Sequence, residues 1–203
     1  SLNALWALYQ VGGFDASTVQ STLQHPDAHV RLWTVRLLGD HNGIQRNLGL
    51  PGTNTEAQVL PEVIFNTFLN QTQIEPHPEV RSQIASTARR LELTQGLLLT
   101  EKLLEHEEDL DDLFIPLLCW WMFEAHMPDA NEGIVQFMEQ SDLWSQPVFI
   151  THVLPRVARR LAVDGKRRDL LLLTRLIQNA SSTKVAAALT RGFEEAYRGR
   201  TIA

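Results

Sequence analysis

The feature that most constrains the fold of this chain is a short internal repeat. Residues 25–31 (HPDAHVR) and 75–81 (EPHPEVR) align without a gap, and a helical pattern follows each segment. Proline ends the preceding element because it fixes φ, while acidic and small polar residues favour a helix N-terminus. The valine then opens the buried stripe of the next helix. Such a motif predicts a helical unit that recurs along the chain.

Three weaker copies of this helix start follow. We expect them at residues 111–116 (DDLFIP), 145–148 (SQPV) and 181–185 (SSTKV). Aligning one apolar residue from each start gives steps of 50, 34, 34 and 37 residues; the aligned residues are Val30, Val80, Phe114, Val148 and Val185. Steps of 34 to 37 residues fit one helical hairpin per repeat. The longer first step predicts an insertion at about residues 40–55, which contain Gly, Asn and Pro.

The intervening segments also have helical patterns. A helix over residues 2–11 is expected to end at two glycines, and Asp15 is expected to cap a helix over residues 16–24. Further helices are predicted over residues 62–70, 95–105, 131–140 and 166–178. No stretch has the sustained period-2 alternation of a strand. The sequence therefore predicts an all-α, right-handed α-α superhelix with about five helical pairs, forming a single domain over residues 1–203.

Charge and cysteine content disfavour several functions. The formal net charge of −6 and the isoelectric point near 5.6 are unlike those of a general nucleic-acid binder. One cysteine, Cys119, excludes a disulfide within the chain and a thiolate metal cluster. The longest apolar run, residues 113–123, is interrupted by Pro116 and is too short to cross a bilayer. We therefore expect no nucleic-acid partner and no direct membrane insertion.

Two groups of potential metal ligands do not match a known ion site. His25 and His29 are four residues apart, but Pro26 places His25 before the helix, and zinc needs three or four ligands. The acidic run at residues 105–112 lacks the alternating oxygen ligands and central glycine of a calcium loop, and its charges suit the N-terminus of the next helix. No nucleophile elbow or Gly-rich phosphate loop occurs. The sequence predicts no metal, no cofactor and no catalytic residue.

Trp121, Trp144 and Glu124 are the candidate partner-binding residues. Trp120 and Trp121 are adjacent, so their side chains point about 100° apart on a helix. One of them can lie in the core while the other lies at a repeat interface or on a surface, where an exposed tryptophan is a good anchor for a partner. In an alternative hypothesis, Glu124 and the tryptophans line a pocket on the concave face of a helical-repeat lyase or glycosylase.

A second alternative is nucleic-acid binding through the single basic cluster of the sequence. Its members are Arg156, Arg159, Arg160, Lys166, Arg167 and Arg168. A groove that tracks phosphates would need cations from several repeats. We expect these arginines to pair instead with acidic residues of neighbouring helices.

The first repeat segment, followed by residues 37–40 (LLGD), resembles HEAT-like repeats of the kind also found in phycobilisome-lyase-related proteins. Residues 80–91 (VRSQIASTARRL), 111–121 (DDLFIPLLCWW) and 152–156 (HVLPR) are similar to the helical region of planctomycete-type exported proteins called membrane-bound dehydrogenase-like or haem-binding proteins. In that family this region lies between a β-propeller related to sugar dehydrogenases and a C-terminal cytochrome c domain.

The resemblance implies that the chain is a fragment of a larger periplasmic or cell-surface redox protein. Within it, this HEAT/armadillo-like region is expected to be a non-catalytic scaffold or docking module for a protein or for neighbouring domains. Haem c is expected elsewhere in the parent protein, because covalent haem needs Cys-x-x-Cys-His and Cys119 is followed by Trp120.

Overall fold

The structure, a computed structural model, describes residues 1–40 and 57–199, and this part of the chain is all-helical. Its α-helices are α1 (Leu2–Gln10), α2 (Ala16–Leu23), α3 (Ala28–Gly39), α4 (Glu62–Ile74), α5 (Pro78–Ala88), α6 (Leu93–Leu104), α7 (Ile115–Gln140), α8 (Leu154–Val163), α9 (Arg167–Gln178) and α10 (Thr183–Tyr197). Within the described ranges no β-strand occurs, so the predicted all-α class is confirmed. The predicted insertion at about residues 40–55 lies, except for Asp40, outside the described residues.

Two compact units make up the chain, Ser1–Leu103 and Leu104–Ala203. The first unit contains α1 to α6, and the second contains α7 to α10 together with the segment that leads to α7. That segment includes a 3-10 helix, Glu107–Asp109, and a second 3-10 helix, Asp142–Ser145, follows α7. That both units belong to one repeat domain stays a prediction.

In the first unit, several described helices that are not consecutive pack side by side. α1 contacts α3, α3 contacts α5, and α2 contacts α4. The Trp6 and Trp33 rings meet at 4.9 Å, and the Tyr9 hydroxyl donates a hydrogen bond to the Asp40 carbonyl at 2.5 Å. Both contacts advance along α1 and α3 in the same direction, so these helices run parallel. The order is that of helical hairpins stacked on one another.

The two arginines of the sequence repeat make equivalent contacts. Arg31 Nη1 donates to the His25 carbonyl at 2.8 Å, and Arg81 Nη1 donates to the Glu75 carbonyl at 3.0 Å, in each case six residues earlier. Both arginines are buried, and each satisfies a carbonyl of the turn before its helix. The Glu75 carboxylate accepts two hydrogen bonds from Arg31, at 2.8 and 2.7 Å. The sequence repeat is therefore also a structural repeat, and an ion pair joins its two copies.

The second unit has the same next-but-one packing, with α7 against α9 and α8 against α10. Glu132 of α7 pairs with Arg168 of α9 at 3.3 Å, and Glu139 pairs with Arg175 at 2.9 Å. Because both members of the second pair lie seven residues further along, α7 and α9 run parallel. Pairing with a neighbouring helix, as predicted for the basic cluster, is confirmed for Arg168.

After the helix start predicted at residues 145–148, a π-helical turn, Phe149–Val153, leads into α8. Pro155 has no N–H to donate to the Thr151 carbonyl, so the regular ladder cannot continue there. Arg191 of α10 donates to that carbonyl at 2.9 Å instead. At the next residue, a Cβ added to Gly192 would lie 2.1 Å from the Pro155 oxygen. The close approach of α8 and α10 thus depends on a glycine at this position.

Helix ends agree with the predictions in some places and differ in others. Asp15 caps α2 as expected, accepting the Thr18 N–H at 2.8 Å, and Gly12 follows α1 with φ of 77°. The helix predicted to start at residues 111–116 and the helix predicted over residues 131–140 form one helix, α7, with a non-helical backbone at Ala130. Pro128 lies just before that residue. The predicted break is therefore a kink and not a loop.

Candidate docking surface

The start of α7 differs from the other repeat starts. Four of the five aligned residues are buried, as predicted: Val30, Val80, Val148 and Val185. The fifth assignment is wrong, because Phe114 is 66% exposed and Ile115 occupies the buried position instead. The Asp112 Oδ1 atom accepts the N–H groups of both Phe114 and Ile115 at 2.8 Å. These bonds fix the turn before α7, which begins at Ile115 with Phe114 as its N-cap residue, and leave Phe114 outside the core.

The apolar side chains left outside form one surface. Leu113 is 81% exposed and Phe114 is 66% exposed, while Trp121 is 38% exposed one further turn along α7. Leu117 and Leu118 lie between them and are half-buried. Residues three, four and seven apart share a helix face, so Phe114, the two leucines and Trp121 form a continuous stripe. We call these five residues the α7 apolar surface.

The opposite face of α7 belongs to the core of its unit. Its side chains are fully or almost fully buried; they include Ile115, Cys119, Trp120, Met122, Phe123 and Met127. Since the helix already has a complete buried face, the α7 apolar surface is additional to what folding requires. Exposed apolar patches of this kind mark interaction sites more often than scattered single residues do.

Exposed carboxylates precede and follow this surface in the sequence. Glu107, Glu108 and Asp111 lie in the segment that leads to it, Glu124 lies one turn beyond Trp121, and all four are exposed. No Lys or Arg occurs from residue 103 to residue 155, whereas the same stretch holds eleven Asp and Glu residues. The α7 apolar surface therefore lies in a stretch of sequence that is rich in carboxylates and has no Lys or Arg.

The three predicted binding residues lie in two places. Trp120 is buried and Trp121 is exposed, which confirms that one of the adjacent tryptophans faces the core and the other the surface. Trp121 and Glu124 are three residues apart on the same face of α7. Trp144 is half-buried in the 3-10 helix Asp142–Ser145, and its Nε1–H donates to the Met138 carbonyl. Because Met138 is on the order of 25 Å along α7 from Trp121, the structure does not bring Trp144 to this surface.

Sequence reasoning missed Leu113 and Phe114. Two adjacent aspartates, Asp111 and Asp112, precede them, and either could cap the helix. A cap at Asp111 would place Phe114 at the buried position, and a cap at Asp112 places Ile115 there. The absence of cations over the following forty residues was a usable signal, since a long acidic stretch around apolar residues indicates a charged surface and not a core.

The basic cluster is largely committed to ion pairs. Arg160 and Lys166 both approach Asp164, at 3.1 and 3.7 Å, and Arg168 binds Glu132. Arg156 donates to the carbonyl of His152, four residues earlier. These contacts give each of the four cations a partner within its own unit.

His25 and Asp112, from the two groups of potential metal ligands, accept hydrogen bonds from backbone N–H groups of nearby turns. His25 Nδ1 accepts the Asp27 N–H at 3.0 Å, and Asp112 caps α7 as the helix-dipole argument predicted for this run. Among the described residues no group of three or more His, Cys, Asp or Glu side chains could hold a metal ion. Burial raises the pKa of the Cys119 thiol, and the charge of Asp109 raises it further. This thiol is therefore neutral and poorly reactive in the folded chain.

A cleft of about 330 Å³ in the first unit has aromatic walls formed by Trp6, Tyr9 and Trp33. The Arg36 guanidinium lies over the Trp33 ring, 4.9 Å from its centroid, and the Tyr9 hydroxyl already donates to the Asp40 carbonyl. Arg36 and the Tyr9 hydroxyl, two polar groups of the cleft, are therefore already engaged within the protein. Neither Trp121 nor Glu124, on which the pocket hypothesis depended, lines this cleft.

The described residues form an all-helical structure, and the start of α7 exposes an apolar helix face in the second unit. No protein-family model matches the chain, and neither a curated protein nor a solved structure is detectably similar to it. Within the described residues, none of the helices is long and apolar enough to span a membrane.

Proposed function

We propose that this chain is a non-catalytic helical-repeat scaffold that docks a protein partner through the α7 apolar surface. The observation that carries this proposal is the exposure of Leu113 and Phe114 at a repeat start where the other four starts bury their apolar residue. Large apolar and aromatic side chains in the centre of a surface are the residues that contribute most to protein binding. The surface is small, so we expect modest affinity.

The proposal extends the stacked hairpins of each unit to a right-handed α-α superhelix of HEAT-like repeats. Parallel packing of next-but-one helices and the equivalent contacts of Arg31 and Arg81 support it, because both require translational order. Each hairpin buries only part of its apolar surface against its own two helices, and the next hairpin covers the rest. Such a stack gives partners an extended surface.

The setting proposed for this scaffold follows from the resemblance described above. In it, the chain is one region of an exported redox protein in the periplasm or at the cell surface, and haem c is bound elsewhere in that protein. The gene sequence tests this directly. We expect a Cys-x-x-Cys-His motif downstream of this region in the same reading frame; an open reading frame without one removes the redox setting and leaves the docking proposal.

Site-specific photo-crosslinking tests docking itself. Benzoylphenylalanine replaces Phe114 in one variant and Phe193 in the control, since Phe193 is also an exposed aromatic residue of the second unit, 40% accessible. In the native host, we expect a discrete crosslinked protein from position 114 and none from position 193. The product should disappear when Trp121→Ser is added. Equal crosslinking from both positions, or none from position 114, would contradict a docking role for this surface.

A further inference from the structure

We propose that the partner segment docked by the α7 apolar surface is a basic amphipathic helix, with apolar residues on one face and Lys or Arg at its edges. This inference rests on the proposed docking function and adds the chemistry of the partner. It is carried by the combination of an exposed apolar stripe with exposed acidic residues close to it in the sequence.

The apolar part of the surface has the dimensions of a helix contact. Phe114, Leu117, Leu118 and Trp121 cover two turns of α7 and match the spacing at which a second helix inserts its own apolar residues. Helix-on-helix docking uses anchors three, four and seven residues apart on the partner. Two large aromatic side chains at the two ends of the stripe are suited to enclose such anchors.

The charges around the stripe determine whether the partner should be acidic or basic. Glu107, Asp111 and Glu124 are exposed, and residues 103–155 contain no Lys or Arg. An acidic partner would place like charges together, which is unfavourable at close range, whereas Lys and Arg at the edges of a partner helix gain complementary pairs. The same charges disfavour an anionic membrane surface and a second copy of this surface.

The other acidic residues nearby have structural partners. Asp112 caps α7, Asp109 is buried, and Glu132 and Glu139 bind Arg168 and Arg175. Glu108 lies 3.1 Å from His106 Nδ1. The charge argument therefore rests on the other three exposed carboxylates near the stripe, Glu107, Asp111 and Glu124.

The test uses the full chain and two designed peptides labelled with a fluorophore. Both peptides carry the same leucines at positions i, i+3, i+4 and i+7; one has lysine at the flanking positions and the other has glutamate. Binding is measured by fluorescence anisotropy at low and at high salt. We expect the lysine peptide to bind at least about tenfold more tightly than the glutamate peptide, with a difference that shrinks as salt screens the charges.

Variants of the chain test whether the lysine peptide binds at the α7 apolar surface. Phe114→Ser is expected to weaken binding of the lysine peptide by about tenfold or more, whereas Phe193→Ser is expected to leave its affinity unchanged. The triple variant Glu107→Gln, Asp111→Asn, Glu124→Gln is expected to remove the salt dependence. Asp112 stays in place because it caps α7, and circular dichroism checks that each variant keeps its helix content.

The outcomes separate this inference from the docking proposal. If both peptides bind equally and Phe114→Ser weakens both, the surface docks a helix but the basic partner is wrong. If the lysine peptide binds Phe114→Ser as tightly as it binds the wild-type chain, charge alone accounts for the attraction and the inference fails. If neither peptide binds, the inference also fails, while the crosslink from position 114 continues to decide docking.

Discussion

Glu75 and Arg31 form a buried ion pair between the two copies of the sequence repeat. The Glu75 side chain is fully buried and accepts hydrogen bonds from Arg31, from Gln71 at 3.1 Å and from the His77 N–H at 3.1 Å. Arg31 also donates to two turn carbonyls. Every charge taken from water is thus met by a partner, which is the condition under which a buried pair is tolerated.

Removing one charge of this pair should destabilise the chain strongly. Glu75→Gln keeps the volume of the side chain but leaves the Arg31 guanidinium buried without its counter-charge, so we expect a loss of about 3–5 kcal/mol in the free energy of unfolding. Urea denaturation followed by circular dichroism measures it. Arg168→Gln is the control, because its pair with Glu132 is largely exposed and should contribute less than about 1 kcal/mol. Equal losses in both variants would contradict the role given to burial.

The same variant predicts a pH dependence. Burial alone would raise the pKa of Glu75, but the hydrogen bonds from Arg31, Gln71 and the His77 N–H outweigh it and hold the pKa below its usual value. The stabilisation is therefore present above the ordinary glutamate pKa, about 4.3, and is lost as the pH falls through the lower folded-state pKa.

The difference in free energy of unfolding between the wild-type chain and Glu75→Gln should follow that window. We expect it to be constant between about pH 7 and pH 5 and to shrink below about pH 4. Denaturation curves at a series of pH values measure it. A difference that grows as the pH falls would mean that the Glu75 pKa is raised and not lowered.

At the scale of elements, Gly192 sets the distance between α8 and α10. A methyl group there would meet the Pro155 oxygen at 2.1 Å and the Ala158 Cβ at 2.8 Å, and backbone atoms cannot move aside cheaply. Gly192→Ala should therefore destabilise the chain by about 1–3 kcal/mol or more. Gly133→Ala, at an exposed site inside α7, should instead stabilise it by up to about 1 kcal/mol through helix propensity. Thermal denaturation of both variants checks the predicted difference in sign.

Helix class and most helix starts could be predicted from the sequence because each start depends on local chemistry. Asp15 shows this: a capping side chain acts on N–H groups two or three residues away, and sequence contains all of them. The π-helical turn before Pro155 could not be predicted, because it depends on Arg191, forty residues later, to satisfy the freed carbonyl. A loop was predicted where the structure has a kink at Ala130, because a proline such as Pro128 is compatible with both a helix end and a kinked helix.

At the scale of the whole molecule, the proposed superhelix predicts an extended shape. A compact chain of 203 residues has a radius of gyration of about 17 Å. Hairpins stacked in one row give a larger value, which small-angle X-ray scattering of the monomer measures. A radius of about 17 Å would contradict a continuous superhelix, although each unit would keep its own hairpin stacking.

Of the five residues in the α7 apolar surface, only Trp121 was evident from sequence, together with Glu124 beside it. Trp121 and Glu124 were predicted as binding residues, and both are exposed on α7. Leu113 and Phe114 were not, since their exposure depends on which of two adjacent aspartates caps the helix. Trp144 was grouped with Trp121 because sequence distance does not reveal that a long helix separates them.

Thiol reactivity at position 114 tests most directly whether the start of α7 presents an exposed surface. Cys119 is buried and should not react with a thiol reagent until the chain unfolds, so an added cysteine reports on its own position. We expect Phe114→Cys to react with Ellman's reagent in the folded chain as fast as an exposed thiol, and Val148→Cys, at a buried repeat start, to react only in denaturant. A Phe114→Cys variant as protected as Cys119 would place residue 114 in the core and contradict the docking surface.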